Sequence, residues 1–315
     1  MPLKQVVIRT PATSANLGPG FDVFALALKH PSDKVTITAI PEGIKIRIKG
    51  LLAKTISVVP EKNTAGVVAT KMISDFGLQT GLLIEIEKGI MPGTGLGSSA
   101  ASAAAIAYGL NKMFSLGLKN LELINYAAKG EIASAGFEHA DNVSAAICGQ
   151  FVIIESYHPL RIVNFRCPDK MGICVTMPKL AAPAHKTEKA RLMIPTLVPM
   201  DKLVENLGRA AVMASGFATG DIDLIGRSMI DRIVEPARIP LIPGYLQVKE
   251  NALKAGACGV TISGAGPSMI AIVNKKKADV RKVAKAMQEG FKSAGLKSTC
   301  YVTEAGKGTC LLTKK

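Results

Sequence analysis

The sequence predicts an α+β fold in two parts, and three observations carry that expectation. Segments with the two-residue period of strands and segments with helical periodicity are mixed without strict β-α-β alternation, which argues against a doubly wound parallel sheet. At 315 residues the chain exceeds the usual size of a single hydrophobic core. Its character changes at Tyr157-His158-Pro159, which reads as a hinge and sets an N-terminal domain over 1–156 and a C-terminal domain over 157–315.

Taken in order, residues 6–9, 34–38, 44–48 and 82–87 alternate as strands, with a helix over 63–76 between the last two. Helices follow over 98–114, 120–134 and 141–147, then a strand over 150–155. Beyond the hinge, strands over 161–165 and 172–176 lead to a stretch holding Pro178, Pro183, Pro195 and Pro199, which cannot be one continuous helix. Helices over 200–218 and 244–255 come next. The chain closes with a strand over 259–263, a Gly-rich turn, a strand over 269–273, a basic helix and a strand over 299–303.

Composition narrows the function classes. Apolar residues make up 48% and charged residues 20%, as in an ordinary enzyme, and no segment approaches the ~18 uninterrupted apolar residues of a membrane span. Residues 1–10 alternate like a strand and lack the pattern of a secretory leader, so a cytoplasmic location is expected. Six scattered cysteines form no Cys-x-x-Cys pair, which disfavours structural zinc and leaves most of them as small buried apolar residues. The net charge of +15 is concentrated: eleven Lys/Arg against three acids follow residue 273. There Val280, Ala284, Met287 and Phe291 recur at helical spacing, so the lysines belong to the solvated face of an amphipathic helix. Aromatic residues are 4% of the chain and none is interleaved with this run, which argues against nucleic acid as a partner.

The chemistry sits in Gly-rich segments. Pro92-Gly93-Thr94-Gly95-Leu96-Gly97-Ser98-Ser99-Ala100 places three glycines at alternate positions and two hydroxyls where a helix begins. That layout lets the backbone approach an anion at the positive end of a helix dipole. It is neither of the commoner nucleotide loops: no lysine follows Gly97, and the glycine spacing misses Gly-x-Gly-x-x-Gly by one. A second such turn, Ser263-Gly264-Ala265-Gly266-Pro267-Ser268, joins two apolar runs, and two such loops suggest a cleft. The segment from Pro11 to Asp22 reads poorly as helix or strand and interleaves polar groups with apolar ones, as a surface loop or a binding segment would.

In this order the three segments resemble the GHMP kinase superfamily, named for galactokinase, homoserine kinase, mevalonate kinase and phosphomevalonate kinase. Gly130-Glu131-Ile132-Ala133-Ser134-Ala135-Gly136, His139-Ala140-Asp141-Asn142, Thr187-x-x-Ala190-Arg191, Glu235-Pro236-Ala237-Arg238 and Glu304-Ala305-Gly306-Lys307-Gly308 narrow the resemblance to its homoserine kinase branch, over almost the whole chain. Ala265 departs from the serine common at that place. The resemblance implies a two-domain GHMP kinase fold, with a left-handed βαβ crossover in the first domain and a ferredoxin-like second domain. It also implies a homodimer that transfers phosphate from ATP to L-homoserine, with Mg²⁺, on the path to threonine.

By the same resemblance Asp22 would hold the substrate ammonium with Asn16 and His139 assisting. Arg191 and Arg238 would grip the carboxylate, Asn142 would sit near the reacting hydroxyl, and Thr187 and Gly264 would complete the pocket. The residue chemistry agrees, because an amino acid needs an anion and cations within one pocket. Ser99 and Glu131 would hold Mg²⁺, and a carboxylate in the small, apolar surroundings of Glu131 is ionised only beside a cation. Thr94 and Ser98 would add hydroxyl contacts to the phosphates. The catalytic group is Asn142, Asp141 and Glu131, with Asp141 read as an orienting residue rather than a base, since a loose transition state does not oblige one. Mevalonate or shikimate phosphorylation and a binding-only role are the competing readings; the two arginines with Asp22 argue against the former, and the intact loop with Ser99 and Glu131 against the latter.

Overall fold

The computed structural model describes residues 3–135, 139–180 and 190–314. Its first layer is a seven-stranded sheet whose main path runs β11-β1-β2-β4-β3, with β5 added to β2 and β6 to β5. The strands are β1 (Gln5–Asn16), β2 (Gly20–Ile40), β3 (Ile44–Gly50), β4 (Gly81–Lys88), β5 (Phe151–Tyr157), β6 (Leu160–Phe165) and β11 (Cys310–Lys314). Neighbours are antiparallel except β3 and β4, which are parallel and joined through helix α1 (Thr64–Asp75). One face is covered by α1, α2 (Ser98–Phe114), α3 (Asn120–Ala135) and α4 (Asp141–Cys148). Val6, Ile8, Val35, Ile37, Ile84 and Ile86 alternate inward to meet the alanine-rich side of α2, whose small side chains let the helix lie close.

The second layer is a four-stranded antiparallel sheet in the order β10-β7-β9-β8. Its strands are β7 (Met171–Pro178), β8 (Gly259–Ile262), β9 (Met269–Asn274) and β10 (Ser298–Thr303). Fourth, first, third, second is the strand order of the ferredoxin-like split βαβ arrangement that the resemblance implies. Between β7 and β8 come α5 (Met200–Thr219), α6 (Ile222–Arg227), α7 (Val234–Arg238) and α8 (Tyr245–Lys254); α9 (Val280–Ser293) precedes β10. On α9, Val283, Ala284, Met287 and Phe291 are buried while Arg281, Lys282, Lys285 and Lys292 are exposed, so the basic run is a solvated helix face.

The two layers share a core. Phe24, Leu26 and Leu28 of β2 and Phe151 of β5 meet Ile173, Val175, Ile270 and Ile272 of the second sheet, and Phe217 of α5 stacks on Phe151 at 3.7 Å. The segment 304–309 runs back through this junction: Gly306 N donates to Ala27 O, Gln150 N to Gly306 O and Thr309 N to Ala146 O, at 2.7–2.8 Å. A Cβ at Gly306 would meet the Leu28 backbone, which explains the glycine.

Several elements differ from the sequence expectation. Residues 11–15 are buried strand, with Asn16 half-buried at its end, not surface loop, and β2 extends over 21 residues where alternation marked only 34–38. Tyr157-His158-Pro159 is the tight connection of the β5–β6 hairpin. The first sheet therefore continues to Phe165 and takes its last strand from the C-terminal end, and the chain passes to the second layer only after 165. Two of the cysteines, Cys167 and Cys174, are buried; the other four are half-buried and all six are free thiols, so fewer are core residues than composition suggested. Among the described residues no helix is long and apolar enough to cross a membrane.

Candidate active site

A cleft of ≈ 490 Å³ opens where α2, α4, the 263–268 turn and α7 converge. Its floor is the loop from β4 to α2. Gly93, Gly95 and Gly97 have φ of 72°, 83° and 62°, a region that excludes most side chains. A Cβ at Gly97 would run into Thr13 Oγ1, and one at Gly95 into the Ser263 carbonyl. Gly97 caps α2 without a side chain, so the first-turn N–H groups of Ser98, Ser99 and Ala100 lie at the positive end of a 17-residue helix. Pro92, Gly93, Gly95, Leu96, Gly97, Ser98 and Ser99 line the cleft, whereas Thr94 and Ala100 do not. Thr94 Oγ1 donates to Met91 O at 2.7 Å and Ser98 Oγ to Ile90 O at 3.2 Å, so both hydroxyls hold the loop's shape. The second Gly-rich turn braces the first: Ser263 Oγ lies 2.8 Å from both Gly95 O and Ser14 Oγ, and Ser268 N donates to Thr94 O at 3.2 Å.

Beside the loop, Ser99 Oγ donates to Glu131 Oε2 at 2.9 Å. Burial pushes the Glu131 carboxyl up to about 7, with the Ser99 hydrogen bond acting in the opposite direction. Below lies a buried ion pair, Lys88 with Asp33, absent from the expected site residues. Lys88 Nζ donates to Asp33 Oδ2, to Ser98 O at 2.8 Å and to Ser102 Oγ at 3.2 Å, while Asp33 Oδ1 accepts from Gly89 N and Ile90 N at 2.9 Å. Burial pushes Asp33 up and Lys88 down, and each one's charge on the other opposes that drift. The pair ties the start of the loop to the first turn of α2.

The far end of the cleft is polar and charged. Asp22 has φ of 57° and is held from both sides, its N–H donating to Asn16 Oδ1 at 3.2 Å and its carbonyl accepting from Tyr157 OH at 2.6 Å. Its Oδ2 stands 2.7 Å from a guanidinium nitrogen of Arg191. Arg238 is buried at the end of α7, where it and Asn16 Nδ2 both donate to Gly264 O at 3.0 Å. Asp231 sets that helix by accepting from the N–H groups of Ile233, Val234 and Glu235 at 2.8–3.0 Å. At the start of α4, Asp141 Oδ1 accepts from Asn142 N at 2.6 Å and Asn142 Nδ2 at 3.3 Å, and Asn142 Oδ1 accepts from Thr13 Oγ1 at 2.7 Å. Burial, reinforced by Asp22, pushes the Asp141 carboxyl up to about 7. Burial pulls the His139 imidazole down to about 4, against the pull of Asp22, so it is neutral at physiological pH. Asp22 and Arg191, expected on the ammonium and the carboxylate of the substrate, face each other directly; a ligand bearing both charges on one carbon needs its two partners adjacent. Thr187 lies outside the described residues.

Residues 63–150 match the GHMP kinases N-terminal domain and residues 213–293 the GHMP kinases C-terminal domain. The chain is 45% identical, over 308 residues, to the homoserine kinase of Methanococcus vannielii, an alignment covering 96% of this chain and 99% of that protein. It belongs to the homoserine kinase family of GHMP kinases. A homoserine kinase of Thermoplasma volcanium is 42% identical over 90% of this chain and 91% of its own. The crystal structure of homoserine kinase from Cytophaga hutchinsonii superposes with a TM-score of 0.91 at 34% identity, covering 98% of each chain. A galactokinase of Lactococcus lactis shares the fold at 16% identity with a TM-score of 0.70 over 98% of this chain and 95% of that one.

The fold brings Asn16, Asp22, His139, Asp141, Asn142, Arg191, Arg238 and Gly264 of the expected set to one end of the cleft, and Ser99 and Glu131 to the loop. Sequence reading passed over Lys88, Asp33, Thr13, Tyr157 and Phe21. Lys88 carried one signal, a cation closing an alternating strand directly before a Gly-rich loop.

Proposed function

We propose that this homoserine kinase family member transfers the γ-phosphoryl group of ATP to the side-chain hydroxyl of L-homoserine, giving O-phospho-L-homoserine and ADP. The observation that carries the reading is the Asp22–Arg191 pair with Arg238 behind it, across a cleft from a glycine loop and an uncapped helix N-terminus. One end suits an amino-acid zwitterion and the other a phosphate chain.

The substrate ammonium is taken by Asp22 and its carboxylate by Arg191 and Arg238, with neutral His139 and Asn16 as hydrogen-bonding walls. Asn142, fixed by Thr13 and Asp141, orients the hydroxyl, and the N–H groups of the loop and first turn of α2 receive the phosphates. Transfer through a loose transition state rests on this positioning: the hydroxyl oxygen bonds to the γ-phosphorus as the bond to the ADP oxygen breaks, and the hydroxyl proton passes late to an oxygen of the transferred phosphoryl group, so Asp141 serves to hold Asn142. Mg²⁺ fits beside Ser99 and Glu131: a buried carboxylate and a hydroxyl are the hard oxygen donors it takes, alongside phosphate oxygens and water. When bound it supplies neutralisation of the phosphate charge. Phosphorus NMR of the product from L-homoserine and Mg-ATP tests the reading: a phosphomonoester of homoserine supports it, and inorganic phosphate alone contradicts it.

A further inference from the structure

The Phe21 ring stands directly before Asp22 and faces both arginines of the carboxylate end. The Arg191 Cζ lies 5.2 Å from its centroid and the Arg238 Cζ 5.3 Å. We propose that Phe21 is a positioning residue for the carboxylate clamp: its ring orients the two guanidinium groups of Arg191 and Arg238, and so sets the preference for an amino acid over an amino alcohol. This deepens the functional reading above and rests on it.

Two like charges at one end of a partly desolvated pocket repel each other, and each needs a stabilising neighbour before substrate arrives. Arg191 has the Asp22 carboxylate at 2.7 Å. Arg238 is buried, donates through one nitrogen to the Gly264 carbonyl and has a buried Nε without a hydrogen-bond partner. No second carboxylate is salt-bridged to Arg238 among the described residues; the aromatic face fills that part. The choice has a chemical reason. A carboxylate partner would occupy the planar N–H edge that has to receive the substrate carboxylate, whereas a ring attracts the guanidinium through its face and leaves the edge directed outward. The phenyl ring is apolar and cannot itself ligate the zwitterion, so its effect on binding passes through the arginines. Because Phe21 and Asp22 are consecutive and Tyr157 OH anchors the Asp22 carbonyl at 2.6 Å, the ring is fixed by the same backbone that aims the ammonium ligand.

The test is incorporation of mono-, di- and trifluorophenylalanine at position 21 of the full chain, which weakens the ring quadrupole stepwise at nearly constant shape. KM for L-homoserine should climb with each fluorine, to about tenfold in the trifluoro chain. KM for Mg-ATP, the melting temperature and KM for 3-aminopropanol, which is homoserine without its carboxylate, should stay level. F21L should raise KM for L-homoserine about 5- to 30-fold, and F21Y should restore it to within about twofold. A flat fluorine series, or an F21L loss shared equally by 3-aminopropanol, overturns the role of Phe21 while the kinase reading stands. A wild-type chain that does not turn over L-homoserine overturns the underlying reading and this one with it.

Discussion

Replacing Asp141 by Asn separates an orienting carboxylate from a general base. Asp141 Oδ1 accepts from the backbone and side-chain nitrogens of Asn142, and Asn142 in turn accepts from Thr13 Oγ1. In D141N the amide oxygen still accepts from the Asn142 N–H, so the loss is charge assistance, about 1 kcal/mol. Expressed wholly as misalignment of the hydroxyl, that lowers kcat about fivefold. Loss of a general base lowers it about 10²- to 10⁴-fold. The carboxyl is pushed up to about 7, so a base there would give kcat a limb in the middle of the accessible pH range. The assay is coupled ADP release from wild type and D141N on both sides of that value. A modest drop with matching profiles agrees with the orienting role. A fall near ~10³-fold with the limb erased refutes it. Stability gives a second readout with a definite sign. A folded carboxyl titrating at about 7, above its ordinary 3.8, favours the protonated folded state, so stability is full below about pH 4 and declines as pH rises to about 7. D141N removes that decline, of the order of 4 kcal/mol, and should melt higher than wild type on the alkaline side only.

R238M should lower kcat/KM for L-homoserine about 30- to 1,000-fold, because it removes a buried cation that the proposed site offers to the substrate carboxylate, while KM for Mg-ATP holds; equal losses on both substrates would contradict the carboxylate role. G97A places a Cβ against Thr13 Oγ1 and 3.0 Å from Asn142 Oδ1 at a φ of 62°, and calorimetry should show nucleotide affinity down at least about tenfold. K88M strands the Asp33 carboxylate in the core and should cost about 3–5 kcal/mol in denaturant unfolding, with D33N/K88M recovering most of it; additive losses would deny that the two act as a pair. E131Q should weaken the Mg²⁺ dependence of turnover about 10-fold or more with the fold intact by circular dichroism.

What the sequence makes legible is chemistry written in consecutive residues. The phosphate cradle is readable because left-handed backbone at Gly93, Gly95 and Gly97 demands glycine at alternate positions, and the helix after it shows in its alanine run. The solvated face of α9 is readable from period alone. Residues 11–15 are not, since a strand buried on both faces and filled with Pro, Ala, Thr and Ser carries no hydrophobic alternation. The β5–β6 turn reads as a domain hinge because Pro159 and a change in polarity look alike in either setting. Lys88 and Asp33 stand 55 positions apart and Thr13 and Asn142 stand 129 apart, and those pairings exist only once the strands and helices are stacked. Helix α7, five residues long and set by the side chain of Asp231, is too short for any period to mark, although it delivers Arg238.

The most direct test of the central claim is ADP release with Mg-ATP across L-homoserine, D-homoserine, mevalonate, shikimate and galactose, using the wild-type chain. Turnover of L-homoserine should stand well above that of every other acceptor, since only that stereoisomer presents its ammonium to Asp22 and its carboxylate to Arg191 and Arg238 together. Turnover of mevalonate, shikimate or galactose without L-homoserine would contradict it.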